Sequence, residues 1–439
     1  MEKIVRRLAS NHIAQLLSYP PYLYFSLSVF SSQVAFNMLN IVLIFLVFYL
    51  TSSSFAVALL LFTTLIPQIL ISFFGGVIAD YANKKVILVI GNFLRAMVLL
   101  LLFVSFKNLY VVYFVTLIVS VITQFYVPAE APLIPSLAEK DKLVAANSIF
   151  GISLFGSILI GYVVAGPAIN VLGRANVFLL LSFVFLLATI FAALIPQEKI
   201  SRQMQKIDSQ YIRRSLKSEF RESYNLLKKT KEISNAFFLL IFSQVVVFIL
   251  ATLIPGYAKS ILQVPAESLS IILFAPAALG MVISAILIGS VFTKTSKNKL
   301  TSTGIFISGA CLMLLPFTSR ILSGNLIHLI NLVLPSALEL NVLNFVLLIA
   351  FFAGFANALI FVPSQAIIQE VVPENFRSKI YGMLFALIGL FSLIPIIIAG
   401  GVADVVGVGS VLFIIGVLIV LAGLIRQNAI SYVYYAIKK

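Results

Sequence analysis

The stretch that decides the fold, residues 55–106, reads FAVALLLFTTLIPQILISFFGGVIADYANKKVILVIGNFLRAMVLLLLFVSF. It consists of two apolar runs, each long enough to cross a bilayer as a helix, joined by a short polar loop. The loop holds Asp80, Lys84 and Lys85, whereas the runs beside it hold a single charged residue, Arg95. This pattern predicts two antiparallel membrane-spanning helices that are connected at the membrane surface.

The pattern of long apolar runs and short polar loops extends over the whole chain of 439 residues. Hydrophobic residues make up 61% and charged residues 10%, and the mean hydropathy is +1.11, so lipid is the expected solvent. A membrane barrel would need short alternating strands, which the sequence lacks. We therefore predict an all-α membrane protein with twelve transmembrane helices, at 22–50, 55–79, 86–106, 109–136, 143–172, 177–195, 236–258, 269–292, 300–317, 342–368, 380–400 and 406–425.

The distribution of Lys and Arg predicts the orientation of these helices. With the N-terminus in the cytoplasm, 26 of the 30 basic residues fall on the cytoplasmic side of the membrane. The four on the outer side are Lys107, Arg174, Lys259 and Arg320. We expect a multi-pass protein of the cell membrane with both termini in the cytoplasm. The net charge of +15 then reflects membrane orientation, and no nucleic-acid partner is expected.

One long polar segment, 196–235, divides the helices into six and six. Its apolar residues Ile212, Leu216 and Phe220 are spaced four apart among Lys and Arg. This spacing is typical of a basic amphipathic helix on the cytoplasmic leaflet, although a flexible linker remains the alternative. The predicted organisation is an N-terminal bundle over 1–195, a basic linker over 196–235 and a C-terminal bundle over 236–439.

The two halves also contain a repeat. FYVPAEAPLIPSLAEKDKLVAANSIFG at 125–151 aligns with IFVPSQAIIQEVVPENFRSKIYGMLF at 360–385, with an offset of 235 residues. Chance similarity between apolar stretches is the alternative explanation. A shared proline and a shared acidic-then-basic loop favour two pseudo-symmetric six-helix bundles. The aligned pairs are Pro128 with Pro363, Glu130 with Gln365, Glu139 with Glu374 and Lys142 with Arg377.

The loop between the second and third predicted helices resembles a signature of the major facilitator superfamily. The matching residues are Gly76, Asp80, Lys84 and Lys85. Tyr81 and Asn83 depart from that signature, because a basic residue and a glycine are usual there. The resemblance implies the major facilitator fold and a gating latch in which Asp80 accepts backbone hydrogen bonds at a helix N-terminus. A loop that serves only to orient the chain is the alternative.

Further stretches resemble one branch of that superfamily, the macrolide-efflux proteins. They are LTSSS at 50–54, IPQILIS at 66–72, NFLRA at 92–96 and FVPSQAIIQEVVPENFRSKIYG at 361–382. Enterobactin exporters and lysophospholipid transporters share much of this pattern. The resemblance implies secondary active transport, and it implies that the first, fourth, seventh and tenth helices line a central cavity.

Two charged residues lie deep in predicted helices. Arg95 is nine residues into its helix and Glu130 is nine residues before Glu139, which places both at a depth of roughly 13 Å. A charge in the membrane interior requires a partner or a water-filled cavity, so adjacent helices could pair the two. A fixed ion pair without a transport role is one hypothesis. The other makes Glu130 a proton carrier or the counter-charge of a cationic substrate.

Small residues recur along the fifth predicted helix at Gly151, Gly156, Gly161, Ala165 and Gly166. Their spacing of four or five favours close packing against a neighbouring helix. The stretch resembles the antiporter motif of the superfamily, but Tyr162 stands where the motif has proline. Antiport is therefore expected on weaker grounds than the fold.

The remaining polar residues of the predicted cavity helices are few: Gln33, Asn37, Asn40, Gln244, Gln365 and Gln369. Among many phenylalanines they suit a bulky amphipathic solute, although each alone could be an interhelical hydrogen bond. We expect a monomeric exporter of drug-like or siderophore-like molecules, coupled to protons by antiport. A lysophospholipid transporter and a non-transporting sensor or scaffold are the alternatives. Without phosphate-binding, metal-binding or catalytic signatures, no enzyme activity, metal or cofactor is expected.

Overall fold

The computed structural model describes residues 12–196, 227–228, 230–292, 294–318, 341–372 and 374–437. Within these ranges the chain is helical and contains no strand. The side chains of 73–74, 76–81, 140, 144, 155, 374–379 and 428–437 are not among those described. The predicted amphipathic segment at 212–220 lies outside the described residues.

All twelve predicted spans are confirmed as helices that are long and apolar enough to cross a membrane. A short helix, His12–Ser18, precedes them. In the first half they are α1 Pro20–Thr51, α2 Ser54–Tyr81, α3 Lys84–Ser105, α4 Leu109–Glu130, α5 Leu143–Leu172 and α6 Asn176–Leu194. In the second half they are α7 Lys231–Tyr257, α8 Ala275–Ser290, α9 Lys297–Leu314, α10 Val342–Val371, α11 Glu374–Val406 and α12 Val408–Ile437. The eighth span also includes the 3-10 and π-helical turns before α8 and extends over Ala266–Ser290.

Several helices extend beyond the predicted boundaries. The helix α7 begins at Lys231, five residues before the predicted start, and α11 begins at Glu374 instead of 380. Hydropathy marks the part of a helix that lies in lipid, whereas backbone hydrogen bonding continues through polar residues at its ends. The last two helices were predicted to be separated by residues 401–405, but in the structure only Gly407 separates them. Its φ of +87° is a conformation that favours glycine.

Asparagine side chains start three of the helices. Asn83 precedes α3 and its Oδ1 accepts from the Val86 N–H at 3.3 Å. Asn108 caps α4 by accepting from the N–H groups of Tyr110 and Val111. Asn341 does the same for α10. Such caps satisfy N–H groups that have no acceptor within the helix, so they fix where each helix begins.

The chain divides by its contacts into two compact units. Unit 1 comprises Met1–Leu50 and Phe62–Arg221, and unit 2 comprises Thr51–Leu61 and Glu222–Lys439. The helix α2 therefore has its first turns in unit 2 and the rest in unit 1. In this respect the division differs from the predicted split at 196–235.

Each unit contains a very close helix crossing at a glycine. In unit 1, a Cβ added to Gly75 of α2 would lie 2.0 Å from the Gln124 carbonyl oxygen of α4. In unit 2, a Cβ added to Gly354 of α10 would lie 1.9 Å from the Ala277 carbonyl oxygen of α8. Any larger residue would force these helices apart, so glycine is required for backbones to touch.

A buried polar cluster as candidate functional site

The centre of the candidate site is Glu130, the last residue of α4. Its side chain is buried, with 2% of the residue exposed. The side-chain amide of Gln33 in α1 donates to both carboxylate oxygens, at 3.1 Å and 3.0 Å. The carboxylate therefore faces the interior of unit 1, where α1 supplies the hydrogen-bond donor that a buried acidic group needs.

Arg95 of α3 lies in the same cluster and is fully enclosed. Its Nη1 donates to Ser32 Oγ at 3.2 Å and its Nη2 donates to Thr123 Oγ1 at 2.9 Å. The guanidinium also lies 4.2 Å from the centre of the Tyr126 ring, a cation–π contact. Its Nε has no hydrogen-bond partner in the structure.

The predicted pairing of Arg95 with Glu130 needs correction. The charges of the two groups act on each other, but the described contacts of these side chains do not include an ion pair between them. The prediction compared their depths by counting residues from the loops, which cannot fix position to within one helical turn. The structure places Arg95 beside Thr123 and Tyr126, which are two turns and one turn before Glu130 on α4.

A chain of hydrogen bonds connects α1, α3 and α4 beneath the carboxylate. Ser32 Oγ donates to Asn92 Oδ1 at 2.8 Å, and Asn92 Nδ2 donates to the Tyr126 hydroxyl at 3.2 Å. Ser32 also accepts from Arg95, so one hydroxyl joins the cation to the amide. The network fixes three helices to one another around the Glu130 position.

The next polar residue on α1, Asn37, joins α1 to α5. Its Nδ2 donates to the Gln33 carbonyl oxygen at 2.8 Å and to Ser157 Oγ at 3.3 Å. Gly161 of α5 packs directly beside it, because an added Cβ would lie 2.8 Å from Asn37 Cβ and 2.9 Å from the Met38 nitrogen. Gly156 is less tightly packed, with an added Cβ 3.8 Å from the Phe30 ring, and Gly166 is buried.

The predicted site residues of unit 2 are not brought into one cluster by their described hydrogen bonds. Gln365 Oε1 of α10 accepts from the Tyr381 hydroxyl of α11 at 2.7 Å. Gln244 is half-buried on α7, where its neighbour Ser243 accepts from Asn357 of α10 at 2.8 Å. Gln369 is exposed near the end of α10.

The loop that resembles the gating signature is only partly described. Gly76 and Asp80 belong to α2, but their side chains are outside the described set. Lys84 and Lys85 begin α3 and are half-buried. One departure from the signature has a structural role, because the Asn83 side chain accepts from the Val86 N–H at the start of α3 and a glycine has no side chain to do so. The gating role of these residues remains a prediction.

Four residues of the cluster were not predicted: Ser32, Asn92, Thr123 and Tyr126. A signal was available for three of them. Asn92 precedes Arg95 by three positions, and Thr123 and Tyr126 precede Glu130 by seven and four positions, so each shares a helix face with a buried charge. Polar residues at these spacings around an intramembrane charge would have identified the network.

Sequence comparison decides the family. The profile of the Major Facilitator Superfamily matches residues 25–337, which is more than half of the chain. The chain belongs to the Major Facilitator Superfamily. With twelve apolar helices, it is a multi-pass membrane transporter of this superfamily. It is 22% identical over 384 residues to the uncharacterized MFS-type transporter YfiS of Bacillus subtilis (strain 168), covering 86% of this chain and 85% of that protein.

Solved structures show the same fold at low sequence identity. The nucleoside transporter NupG is similar with a TM-score of 0.70 and 12% identity, over 92% of this chain and 98% of that one. The POT family transporter PepTSo is similar with a TM-score of 0.69 and 13% identity, over 93% of this chain and 97% of that one. At this identity the likeness concerns the fold alone.

Proposed function

We propose that this transporter is a secondary exporter of amphipathic small molecules, drug-like or siderophore-like, which it exchanges for protons by alternating access. The observation that carries the proposal is the enclosed carboxylate of Glu130, held by Gln33 of a second helix. A titratable group in the membrane interior is costly to keep and is the default candidate for a proton or ion pathway.

The hydrogen bonds around Glu130 are compatible with both the ionised and the neutral form of its side chain. As a carboxylate it receives the Gln33 amide on both oxygens, with the positive charge of Arg95 nearby. As a neutral carboxyl it keeps one acceptor oxygen for Gln33 and gains a hydroxyl donor. A proton can therefore be taken up and released without leaving a buried polar group wholly unpaired, which is what a coupling residue needs.

Arg95 supports this site and does not contact substrate in the proposal. The residue is 1% exposed, and its described hydrogen bonds go to Ser32 and Thr123. Three aromatic rings, of Phe36, Tyr126 and Phe185, lie within 6 Å of the guanidinium. Arg95 thus holds α1, α3 and α4 together and supplies a fixed positive charge beside the carboxylate.

The substrate class and the direction are inferred from sequence. The predicted cavity helices carry few polar groups among many aromatic residues, which suits amphipathic molecules better than sugars or phosphates. The resemblance to macrolide-efflux and enterobactin-exporter proteins favours export. The bias of Lys and Arg places both termini in the cytoplasm, so the proposed direction is from the cytoplasm outward.

Everted membrane vesicles test this function. A pH-sensitive dye would report proton release when a panel of macrolides, dyes and catecholate siderophores is added to energised vesicles. The expected result is a substrate-dependent proton flux for some members of the panel, absent from vesicles without the protein. No flux across the panel, together with translocation of a spin-labelled lysophospholipid in liposomes, would replace the proposal with lipid transport.

A further inference from the structure

The helices α7 and α11 of unit 2 pack against each other through an apolar cluster in their first turns. Its buried members on these two helices are Ile233, Ala236, Phe237 and Leu240 of α7, and Ile380, Met383, Leu384 and Ile388 of α11. Both helices are odd-numbered spans, so they cross the membrane in the same direction. Gln244 follows Leu240 by four positions, and Ser392 follows Ile388 by four positions. Each polar residue therefore stands one turn beyond the cluster, on the helix face that forms the seam.

These two polar side chains have no hydrogen-bond partner among the described residues. Ser392 is completely buried and its Oγ is unpaired. The described hydrogen bonds do not involve the side chain of Gln244, which is half-buried. Pro395 has no N–H, so the Phe391 carbonyl oxygen beside Ser392 lacks its α-helical donor. A carboxamide, a hydroxyl and a carbonyl oxygen are thus available for hydrogen bonding at one level of the seam.

The corresponding residues of unit 1 are paired. The tripeptide Ser-Gln-Val occurs in α1 and again 211 residues later in α7, and the same offset separates the first residues of these helices. The offset of 235 found for the sequence repeat relates α5 to α11. The corresponding pairs are Gln33 with Gln244 and Ser157 with Ser392. In unit 1, Gln33 donates to Glu130, and Ser157 accepts from Asn37 at 3.3 Å.

Unit 2 keeps the two polar residues but lacks the partners they have in unit 1. Asn37 corresponds to Phe248, which cannot donate to a serine. Glu130 corresponds to Gln365, whose Oε1 accepts from Tyr381. An unpaired polar group in the membrane interior costs free energy. Polar groups that are retained there without a partner in their own unit favour a ligand that supplies one.

We propose that Gln244, Ser392 and the Phe391 carbonyl form a subsite that binds an uncharged hydroxyl or carboxamide group of the exported molecule. The subsite rests on the transport function proposed above, and it specifies one chemical group that the substrate carries. A hydroxyl or a carboxamide both donates and accepts hydrogen bonds, so it can donate to the carbonyl oxygen and exchange hydrogen bonds with the two side chains. Because Gln244 is only half-buried, a ligand can reach it.

The surroundings of the subsite favour an uncharged group. The sequence contains no charged side chain over residues 233–258 of α7 or 380–403 of α11. An ionised ligand group would therefore find no counter-charge on these two helices. Phe248, one turn beyond Gln244, packs against the edge of the apolar cluster and offers apolar contact to the rest of the ligand.

Ligand binding to the purified full-length protein in detergent tests the subsite without a proton gradient. The chain contains no tryptophan, so Phe248→Trp supplies a single fluorescent reporter one turn from Gln244. The probe is benzamide, which is uncharged and carries one carboxamide, and toluene is the comparison without a polar group. In the reporter protein, Gln244→Leu and Ser392→Ala are each expected to weaken benzamide binding about fivefold, because each removes one hydrogen bond. The response to toluene is expected to stay the same.

Ser364→Ala is the matched control. Ser364 of α10 is also completely buried in unit 2, but its hydroxyl donates to the Ile360 carbonyl oxygen of its own helix at 2.7 Å. The control removes the same chemical group from a position where it is already paired. It is expected to leave benzamide binding unchanged.

Thermal unfolding without the reporter gives a second measurement. Because Gln244 and Ser392 have no described partner, Gln244→Leu and Ser392→Ala are expected not to lower the unfolding temperature of the ligand-free protein. Benzamide is expected to raise the unfolding temperature of the parent protein and to raise that of either variant less.

The outcomes separate the subsite from the proposed function. Weaker benzamide binding in the two variants supports the subsite even if no substrate-dependent proton flux exists. The subsite is overturned if benzamide does not bind the parent protein, or if it binds both variants as tightly as the parent, whether or not proton-coupled export is found. Equal weakening by Ser364→Ala also overturns it. A lower unfolding temperature of both ligand-free variants does so as well, because the two side chains would then be paired within the protein.

Discussion

The two units share a scaffold but differ in the chemistry at corresponding positions. Glu130 of α4 and Gln365 of α10 are paired by the sequence repeat, and both follow a proline by two residues. Glu130 accepts from an amide of α1, whereas Gln365 accepts from the Tyr381 hydroxyl of α11. A titratable group in one unit thus corresponds to a neutral amide in the other.

The same contrast holds one helix earlier in each unit. Arg95 follows the first residue of α3 by eleven positions, and Ser308 follows the first residue of α9 by eleven positions. Glycine crossings and the positive-φ glycines Gly173 and Gly407 recur in both units. The repeat therefore maintains helix packing, while the buried charges at these positions are confined to unit 1. This difference supports assigning proton coupling to unit 1.

The largest expected effect is a difference in protein stability between substitutions at Arg95 and at Ser308. Arg95→Met removes the charge-assisted hydrogen bonds to Ser32 and Thr123, so it should destabilise the protein by about 3 kcal/mol. Ser308→Ala should cost less than about 1 kcal/mol. Thermal unfolding of the purified proteins in detergent measures both. Equal losses of stability would break the contrast between the units.

A functional comparison separates the two acceptor positions. Gln33→Leu leaves the buried Glu130 carboxylate without its amide donor, which costs about 1–3 kcal/mol and should slow proton-driven transport roughly tenfold or more. Tyr381→Phe removes the donor to a neutral amide and should slow transport less than about threefold. Initial rates in vesicles at matched expression give the ratio. A larger effect of Tyr381→Phe would place the critical polar contact in unit 2.

The smallest expected effect concerns packing between α1 and α5. Gly161→Ala places a Cβ 2.8 Å from Asn37 Cβ and should destabilise unit 1 by about 1–2 kcal/mol. Gly151→Ala on the same helix is the control, because nothing lies within 4 Å of the added Cβ. Thermal unfolding should separate the two variants. Similar unfolding temperatures would mean that α1 and α5 can move apart at little cost in stability, and that glycine at 161 is not needed for their contact.

Sequence predicted the twelve helices well because one physical property, burial of apolar length in lipid, determines them. The start of α7 at Lys231 was missed because a helix can continue into polar residues outside the lipid. The position of Glu130 inside its unit followed from the cost of exposing a carboxylate to acyl chains.

The partners of buried groups were harder to predict. The pairing of Arg95 with Glu130 was wrong because loop counting does not resolve one turn of helix, which decides whether a guanidinium meets a carboxylate or a tyrosine ring. The contact between Asp404 and the start of α2 gave no local signal. Two of its three donors are backbone N–H groups, which every residue type except proline carries, and all three lie far away in sequence.

The most direct test of the central claim measures proton coupling in Glu130→Gln. Reconstituted protein is assayed twice, for uptake driven by a pH gradient and for exchange of labelled against unlabelled substrate without a gradient. Glu139→Gln is the matched control, because Glu139 is 73% exposed and lies outside the spans. We expect Glu130→Gln to lose gradient-driven uptake but retain exchange, with Glu139→Gln unchanged. Gradient-driven uptake at the wild-type rate in Glu130→Gln would contradict the account.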